Sequence, residues 1–417
     1  MKKQLLVFLL CATIACTVHG QPPPTMVTKH LYEFATPGGG GYPNDSINDH
    51  QAFLDAAAFF QDRHGYGTLV LEDGEYMMGV QQLRNSYSAP APGPDWNNNG
   101  YPSGVATQCK SMVDVQNGFV LDSCRLFTLQ GGTSTTVRYR DCLYYGTFFH
   151  DTIAGTVTSA VGEQDVPVVH IDTVGQDTVI TVDTIQRCVT CDDPVHLPNA
   201  LDLGLRHAQV GVMFTFRNCD SIAVRNLELD GNLDRAILGG KPYWDGYQTL
   251  YDGIFLEHTR RSTIDKVNAH HFGKDGLHLF TGITGEAYLQ RYPDAPMDVD
   301  STILFNNTVQ YSQFNWNGRQ GISWVACAGL TVRECELNYT GAGRLASAPS
   351  AGLDIEGGGG PLRIRYGVFN DCEFLHNRGA GVHADTGPSM GNRTSGSTIV
   401  FSRRGRMPMP FGPTAAA

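Results

Sequence analysis

The chain has 417 residues, 48 of them glycine, with 41% hydrophobic and 10% aromatic residues, enough apolar material for a long thin core. A formal net charge of -11 argues against nucleic acid or an anionic membrane surface as partner, although a local basic patch in an acidic whole can still hold an anionic chain.

Met1-Lys2-Lys3-Gln4 and the apolar run after it, 5–16, have the charged and apolar regions of a secretory signal, with cleavage expected after Gly20. A lipoprotein reading at Cys16 is weaker, because Thr13 stands where Leu is usual. No later apolar run approaches the roughly 18 residues that a membrane span needs. The mature protein is therefore expected to be exported, either secreted or periplasmic, without membrane insertion. Signal removal leaves Cys109, Cys124, Cys142, Cys188, Cys191, Cys219, Cys327, Cys335 and Cys372, an odd number, so at least one is unpaired. Cys188 and Cys191 have redox or zinc spacing, but no second pair or histidine cluster accompanies them, which favours a structural disulfide or free thiols.

Residues 21–112 read as an N-terminal extension and cap. The apolar spacing after Asp49 predicts a helix over 51–61 with Asp or Ser capping it. Gly65-Tyr66-Gly67 ends the helix, Thr68-Leu69-Val70-Leu71 is a strand, and Asp73-Gly74 turns into Glu75-Tyr76-Met77-Met78. Such a unit suits the open end of a solenoid, where an apolar cross-section would otherwise meet water.

From about 113 to 385 the chain repeats. Gly253-Ile254-Phe255-Leu256 returns as Gly276-Leu277-His278-Leu279, Gly321-Ile322-Ser323-Trp324, Gly352-Leu353-Asp354-Ile355 and Gly381-Val382-His383-Ala384. A second short strand opens at a fixed distance ahead of three of these glycines, at Ile264, Val309 and Phe369. The matching strand at Val332 starts earlier, so extra residues must bulge out at 341–350. Short strands with variable insertions at fixed places indicate coils that each cover the neighbour's apolar face, and the architecture expected is all-β, a parallel β-helix. Side chains alternate along a strand. Ile254, Leu277, Ile322, Leu353 and Val382 then form one interior column, and Leu256, Leu279, Trp324, Ile355 and Ala384 the next. The outward columns read Phe255, His278, Ser323, Asp354, His383 and Glu257, Phe280, Val325, Glu356, Asp385.

Several stretches carry a family resemblance. The segment 45–79, Phe127-Thr128-Leu129-Gln130-Gly131, Leu143-Tyr144-Tyr145-Gly146-Thr147-Phe148 and Val224-Arg225-Asn226-Leu227-Glu228-Leu229-Asp230-Gly231-Asn232 resemble the cap and early coils of the pectate-lyase-like, right-handed parallel β-helix superfamily. Asn317-Gly318-Arg319-Gln320-Gly321 and Ala351-Gly352-Leu353-Asp354-Ile355-Glu356 are similar to an exported bacterial branch of it. The resemblance covers most of the mature chain and is specific for fold rather than reaction. It implies the right hand, which parallel crossovers also prefer, and a polysaccharide as partner. The Asn-Thr-Asp, Asp-Asp and Gly-His-Gly set of polygalacturonases and the Arg-x-Pro-x-x-Arg of pectate lyases are missing, so neither activity carries over by motif.

The densest titratable stretch is Asn268-Ala269-His270-His271-Phe272-Gly273-Lys274-Asp275, followed by His278. His271, Lys274, Asp275, His278, Arg319, Asp354 and Glu356 are the candidate catalytic residues, and a solvated face is the bland alternative for each. Tyr243, Trp244 and Tyr247, with the insertion at 281–298, are candidates for walling a sugar groove. Asp252 and Asp275 share a repeat position, where one carboxyl would raise the other's pKa; ordinary Asp-Gly turn chemistry explains the pair equally well. Asp354 and Glu356 suit glycosidic cleavage or a shared cation, Ca2+ being the only cofactor suggested. Elimination would use His271 or His278 as base, with Lys274 and Arg319 facing a uronate. Hydrolysis would need two carboxyls across the bond, and strand spacing puts Asp275 and Asp354 roughly 14 Å apart, too far for an inverting pair, so hydrolysis would rely on Asp354 with Glu356 instead. The balance favours a carbohydrate-active enzyme cleaving an acidic polysaccharide by β-elimination, with a glycoside hydrolase or a non-catalytic binding or adhesion module as alternatives. The tail, 386–417, is irregular. It caps the last coil, marks a truncated chain, or leaves an end through which an oligomer forms.

Overall fold

A computed structural model describes residues 25–35, 40–82, 118–150, 210–238, 250–281, 289–290, 304–357 and 364–384, with shorter strands at 110–115, 157–159, 170–174, 177–181, 205–208, 243–244, 247–248 and 399–402. The expected signal segment, Cys109, Cys188 and Cys191 lie outside the described residues.

Two long sheets face each other along the chain. One has 11 strands, running from Val27–His30 through Gly67–Val70, Phe127–Gln130, Ala223–Asp230, Thr263–His270, Leu304–Gln310, Ala328–Arg333 and Gly367–Asn370 to Ile399–Ser402, with Gly74–Met78 and Thr135–Tyr139 alongside. The other has 7 strands in the order Phe119–Asp122, Gly211–Arg217, Tyr251–Glu257, Asp275–Phe280, Gln320–Val325, Ala351–Glu356 and Val382–Ala384. Every pairing within these two sheets is parallel. Parallel neighbours need a crossover between them. Here the crossover is the strand of the opposite sheet, so the chain winds as a parallel β-helix.

The register is the one the glycine repeat predicts. Ile254 pairs with Leu277, Leu277 with Ile322, Ile322 with Leu353 and Leu353 with Val382. The first four are fully buried, as are Leu279 and Trp324 within 1%, and each Ile or Leu so buried contributes roughly 1.5–3 kcal/mol. The column weakens at the last coil, where Val382 is half-buried and Ala384 exposed. In the opposite sheet Ile264 pairs with Val309, Val309 with Val332 and Val332 with Phe369. The extra residues at 341–350 are turns and irregular chain, from which Arg344 Nη1 reaches back to the carbonyls of Leu233 and Ala236.

The repeated glycine has a steric cause. A Cβ on Gly253 would stand 2.6 Å from the Gly276 carbonyl oxygen and 2.9 Å from the Phe272 ring, and one on Gly321 would stand 2.6 Å from the Gly352 oxygen. The glycine and the residue after it both face the core, which interrupts the strand alternation. The residue before the glycine is thereby turned to the outer side, where Asp252 and Asp275 meet Lys274.

The helix His50–Asp62 covers the N-terminal end with Phe53 and Phe60, whose rings pack on Phe214 at 5.8 Å and Phe127 at 5.0 Å. Asp49 occupies the N-cap position, but its side chain makes no capping bond. It accepts instead from the backbone N–H groups of Met77, at 2.7 Å, and Gly41. The acidic residue expected as a cap therefore ties the helix to the strand Gly74–Met78. Among the described residues no helix is long and apolar enough to cross a membrane.

Candidate active site

The outer face of the 7-stranded sheet carries the polar strip. Phe255 pairs with His278, His278 with Ser323, Ser323 with Asp354 and Asp354 with His383, while Glu257, Phe280, Val325 and Glu356 form the adjacent column. Coil stacking brings these side chains together from strands distant in sequence.

Lys274 and Arg319 organise the strip. Lys274 Nζ lies 3.0 Å from Asp252 Oδ1, 3.3 Å from Asp275 Oδ2 and 3.2 Å from His278 Nδ1. Arg319 Nη1 is 3.6 Å from Asp275 Oδ2, and its Nη2 is 3.9 Å from Asp354 Oδ2 and 2.8 Å from Glu356 Oε1. Gln320 accepts from Arg319 and donates to both Asp354 and Glu356. His383 Nδ1 lies 2.8 Å from Asp354 Oδ1. The network is continuous from Asp252 to His383.

Its protonation follows from burial and these neighbours. Burial raises the Asp252 carboxyl to about 6 against the pull of Lys274, with Asp275 adding to the rise. Burial opposes charge on Lys274 and Arg319, but the facing carboxylates outweigh it and hold both cations above their ordinary values. His278 is pushed well below the usual imidazole range by burial, then by Lys274 and Arg319. An ammonium can only donate, so His278 Nδ1 accepts from Lys274, and the ring proton of the neutral imidazole sits on Nε2. Burial and the bond to Glu356 raise Asp354 to about 7. Burial acts the same way on Glu356, but Asp354 and Arg319 hold it down to about 2. The two carboxyls are hydrogen-bonded and behave as a pair retaining one proton up to about neutral pH.

Lys274, Asp275, His278, Arg319, Asp354 and Glu356 thus fall in one network. His271 does not join it through any contact found among the described residues; it faces His270, Asp234 and Trp316 at the turn after the strand Thr263–His270. The separation of roughly 14 Å expected from strand spacing is too long, because Asp275 and Asp354 reach one guanidinium and so lie at most about 10 Å apart across its fork. Tyr243–Trp244 and Tyr247–Gln248 form an antiparallel hairpin, and the side chains of Tyr243, Trp244 and Tyr247 lie outside the described residues. Asp252, Asp275 and His278 place ligand atoms within 4.8 Å of one another, a spacing open to a metal ion. The Lys274 ammonium already contacts all three, and Ca2+ would need further oxygen ligands.

Two aromatic residues were not singled out by the sequence. Phe255 and Phe280 flank His278 at 4.7 Å and 6.1 Å between ring centroids, making a half-exposed aromatic floor around it. Their place in the outward columns was the available signal. Glutamine in place of Asp at Gln320, which couples Arg319 to the carboxyl pair, had none.

Two parallel sheets stacked in a single register, capped by one helix, decide the architecture. It is a parallel β-helix. No family model and no curated protein matches the sequence. Among solved structures, this β-helix is similar to a tailspike protein of Acinetobacter baumannii bacteriophage Fri1, a capsular polysaccharide depolymerase, at 11% identity and TM-score 0.40, over 92% of this chain and 47% of that one. It is also similar to the Agl-KA catalytic domain, at 12% identity and TM-score 0.40, over 93% of this chain and 49% of the other. A third likeness is to the Yersinia enterocolitica family 28 exopolygalacturonase, at 11% identity and TM-score 0.37, over 91% and 64%. The chain spans about half the length of the first two. The assignment of the β-helix rests on the strand register rather than on these likenesses.

Proposed function

We propose that this protein is an exported carbohydrate-active enzyme that hydrolyses glycosidic bonds of a polysaccharide at the outer face of the 7-stranded sheet. The observation that carries the reading is the Asp354–Glu356 pair, which Gln320 Nε2 and Arg319 Nη2 both bridge, with burial and the bond to Glu356 raising the Asp354 carboxyl. Two titratable groups pushed apart by their surroundings are what acid–base cleavage requires. The proton that the pair retains rests on Asp354. Glu356, the more exposed member with 31% of its side chain accessible, would relay it, taking it from Asp354 as the glycosidic oxygen is protonated and leaving Asp354 ionised. Asp275 has ion pairs but no hydrogen bond on either oxygen, which leaves it lone pairs for an attacking water. Across the Arg319 fork the facing oxygens of Asp275 and Glu356 lie at most about 9 Å apart, which is compatible with much of the range of roughly 6.5–9.5 Å used by inverting enzymes. Phe255, His278 and Phe280 would support the apolar face of a sugar ring.

Elimination is the second reading, supported by Lys274 and Arg319 in the strip. It fits less well, because each cation already faces carboxylates and His278 Nδ1 is engaged by Lys274. A uronate would have to displace a carboxylate of the protein. Four carboxyls against two cations support a neutral glycan over an acidic one.

The test incubates purified protein with a panel of neutral and uronic-acid polysaccharides, following reducing ends together with ultraviolet absorbance. New reducing ends without absorbance support hydrolysis. Absorbance from unsaturated products would replace it with elimination, and silence on substrates that the protein nevertheless binds would replace both with a binding module.

A further inference from the structure

A second cluster of chemistry-bearing side chains stands where the 11-stranded sheet turns into the next coil. Asp230 and His270 are register partners on the neighbouring strands Ala223–Asp230 and Thr263–His270. His271 follows in the left-handed region, with φ 55°. In a continuing strand, adjacent side chains would point to opposite faces. The left-handed residue instead brings both imidazoles to one side, with their Nδ1 atoms 2.7 Å apart and His270 Nδ1 3.6 Å from Asp230 Oδ1. One donor nitrogen from each ring and one carboxylate oxygen lie within 4.8 Å of one another.

What lies behind the rings distinguishes this cluster from an ordinary polar surface. His270 Nε2 is 3.0 Å from Glu228 Oε1, and Glu228 also accepts from Thr136 Oγ1. His271 Nε2 is 3.8 Å from Asp234 Oδ2. The Glu228 carboxylate behind His270 Nε2 keeps the proton there and leaves that ring's inner lone pair free, the arrangement that metal-ligating histidines use, while Asp234, at 3.8 Å, stands where it can face the outer nitrogen of His271. Trp316 is parallel to the His271 ring to within 1°, at 6.2 Å, and Tyr339 lies parallel beyond it, which steadies the ring.

We propose that Asp230, His270 and His271 form a binding site for a divalent transition-metal ion, with Glu228 and Asp234 as the carboxylates that orient the two imidazoles. Two imidazoles and a carboxylate suit zinc, iron, cobalt, nickel or copper, and do not suit calcium or magnesium, which take oxygen ligands. With metal–nitrogen bonds of roughly 2.0–2.1 Å, the two Nδ1 atoms would move apart by about half an ångström. Without an ion, one Nδ1 must donate to the other. On binding, the His271 proton shifts to Nε2, towards Asp234, so both rings stay neutral and both inner lone pairs face the ion. The remaining coordination positions open to solvent, since the side chain of His271 is 30% exposed and that of Asp234 62%.

Untagged protein, stripped with a chelator, is titrated with Zn2+ by calorimetry and with Co2+ by visible absorption. The expected result is one ion per chain and a Co2+ spectrum of nitrogen and oxygen ligation. Glu228→Gln should weaken Zn2+ binding by about 10- to 100-fold, and His271→Asn by at least as much. Asparagine tolerates the left-handed backbone, so this variant should keep the parent's melting temperature without metal. Asp230→Asn is the second ligand variant. Failure of the parent to bind Zn2+, or undiminished binding in both His271→Asn and Asp230→Asn, would overturn the proposal. So would loss of binding in His278→Ala with His271→Asn unaffected, because the ion would then belong to Asp252, Asp275 and His278.

Discussion

Arg319→Met tests whether one guanidinium holds the outer strip together. The substitution keeps most of the stem's packing and removes the charge that faces Asp275 at 3.6 Å, Asp354 at 3.9 Å and Glu356 at 2.8 Å. Asp275 and Asp354 are buried to within 1% of full burial, so the loss leaves Asp275 with Lys274 as its one cation and the Asp354–Glu356 pair without the guanidinium that faces it, and breaking such buried pairs costs up to about 3–5 kcal/mol. Acid should relieve it. Arg319 lowers both Asp354 and Glu356, so without it both folded-state values rise, and Asp354 already stands at about 7. Raised carboxyls contribute stability that is fully present below the unfolded value and is lost as pH rises through the folded one. At about 1.4 kcal/mol per pH unit for each carboxyl, the cost at pH 5 should be about 1–3 kcal/mol smaller than at pH 8. Guanidinium chloride unfolding of parent and variant at the two pH values reads this directly. Arg319→Lys, which keeps the charge without the fork, should fall between them. An equal loss at both pH values, or a larger one at pH 5, would refute the assignment of Arg319 as the neutralising group.

Glu356→Gln should lower the reducing-end rate by about 10²- to 10⁴-fold. In the parent that rate should fall as pH rises through about 7, where the carboxyl pair loses its proton; a rate rising through that window would exclude the pair as acid. Phe280→Ala removes part of the aromatic floor and should raise KM about tenfold, equivalent to about 1.4 kcal/mol, with kcat nearly unchanged; a pure kcat loss would argue against a binding role. Gly321→Ala places a Cβ 2.6 Å from the Gly352 oxygen and should cost about 1–3 kcal/mol, whereas Gly343, with nothing within 4 Å, should accept alanine without a change in melting temperature.

The coil register was legible in the sequence because its cause is local. Strand alternation and a glycine wherever two successive residues face the core are written directly into Gly253-Ile254, Gly276-Leu277 and Gly321-Ile322, and stacking then dictates which outward residues share a face. The helix was legible from its apolar spacing, but its cap was not, since Asp49 finds better donors on Met77 and Gly41 than on its own helix. Side-chain reach was the larger gap. Strand spacing separates Asp275 from Asp354, while a single arginine, with an arm longer than a coil step, draws both to one guanidinium. The nitrogen of His278 that carries the proton depends on Lys274 lying against the other one. His271 was grouped with the strip by its place in the chain, yet a left-handed backbone at that residue turns it towards His270 and Asp234. Periodicity determines which face a residue occupies, but the partner it meets there is decided by side-chain length and backbone handedness, which act only once the coils are stacked.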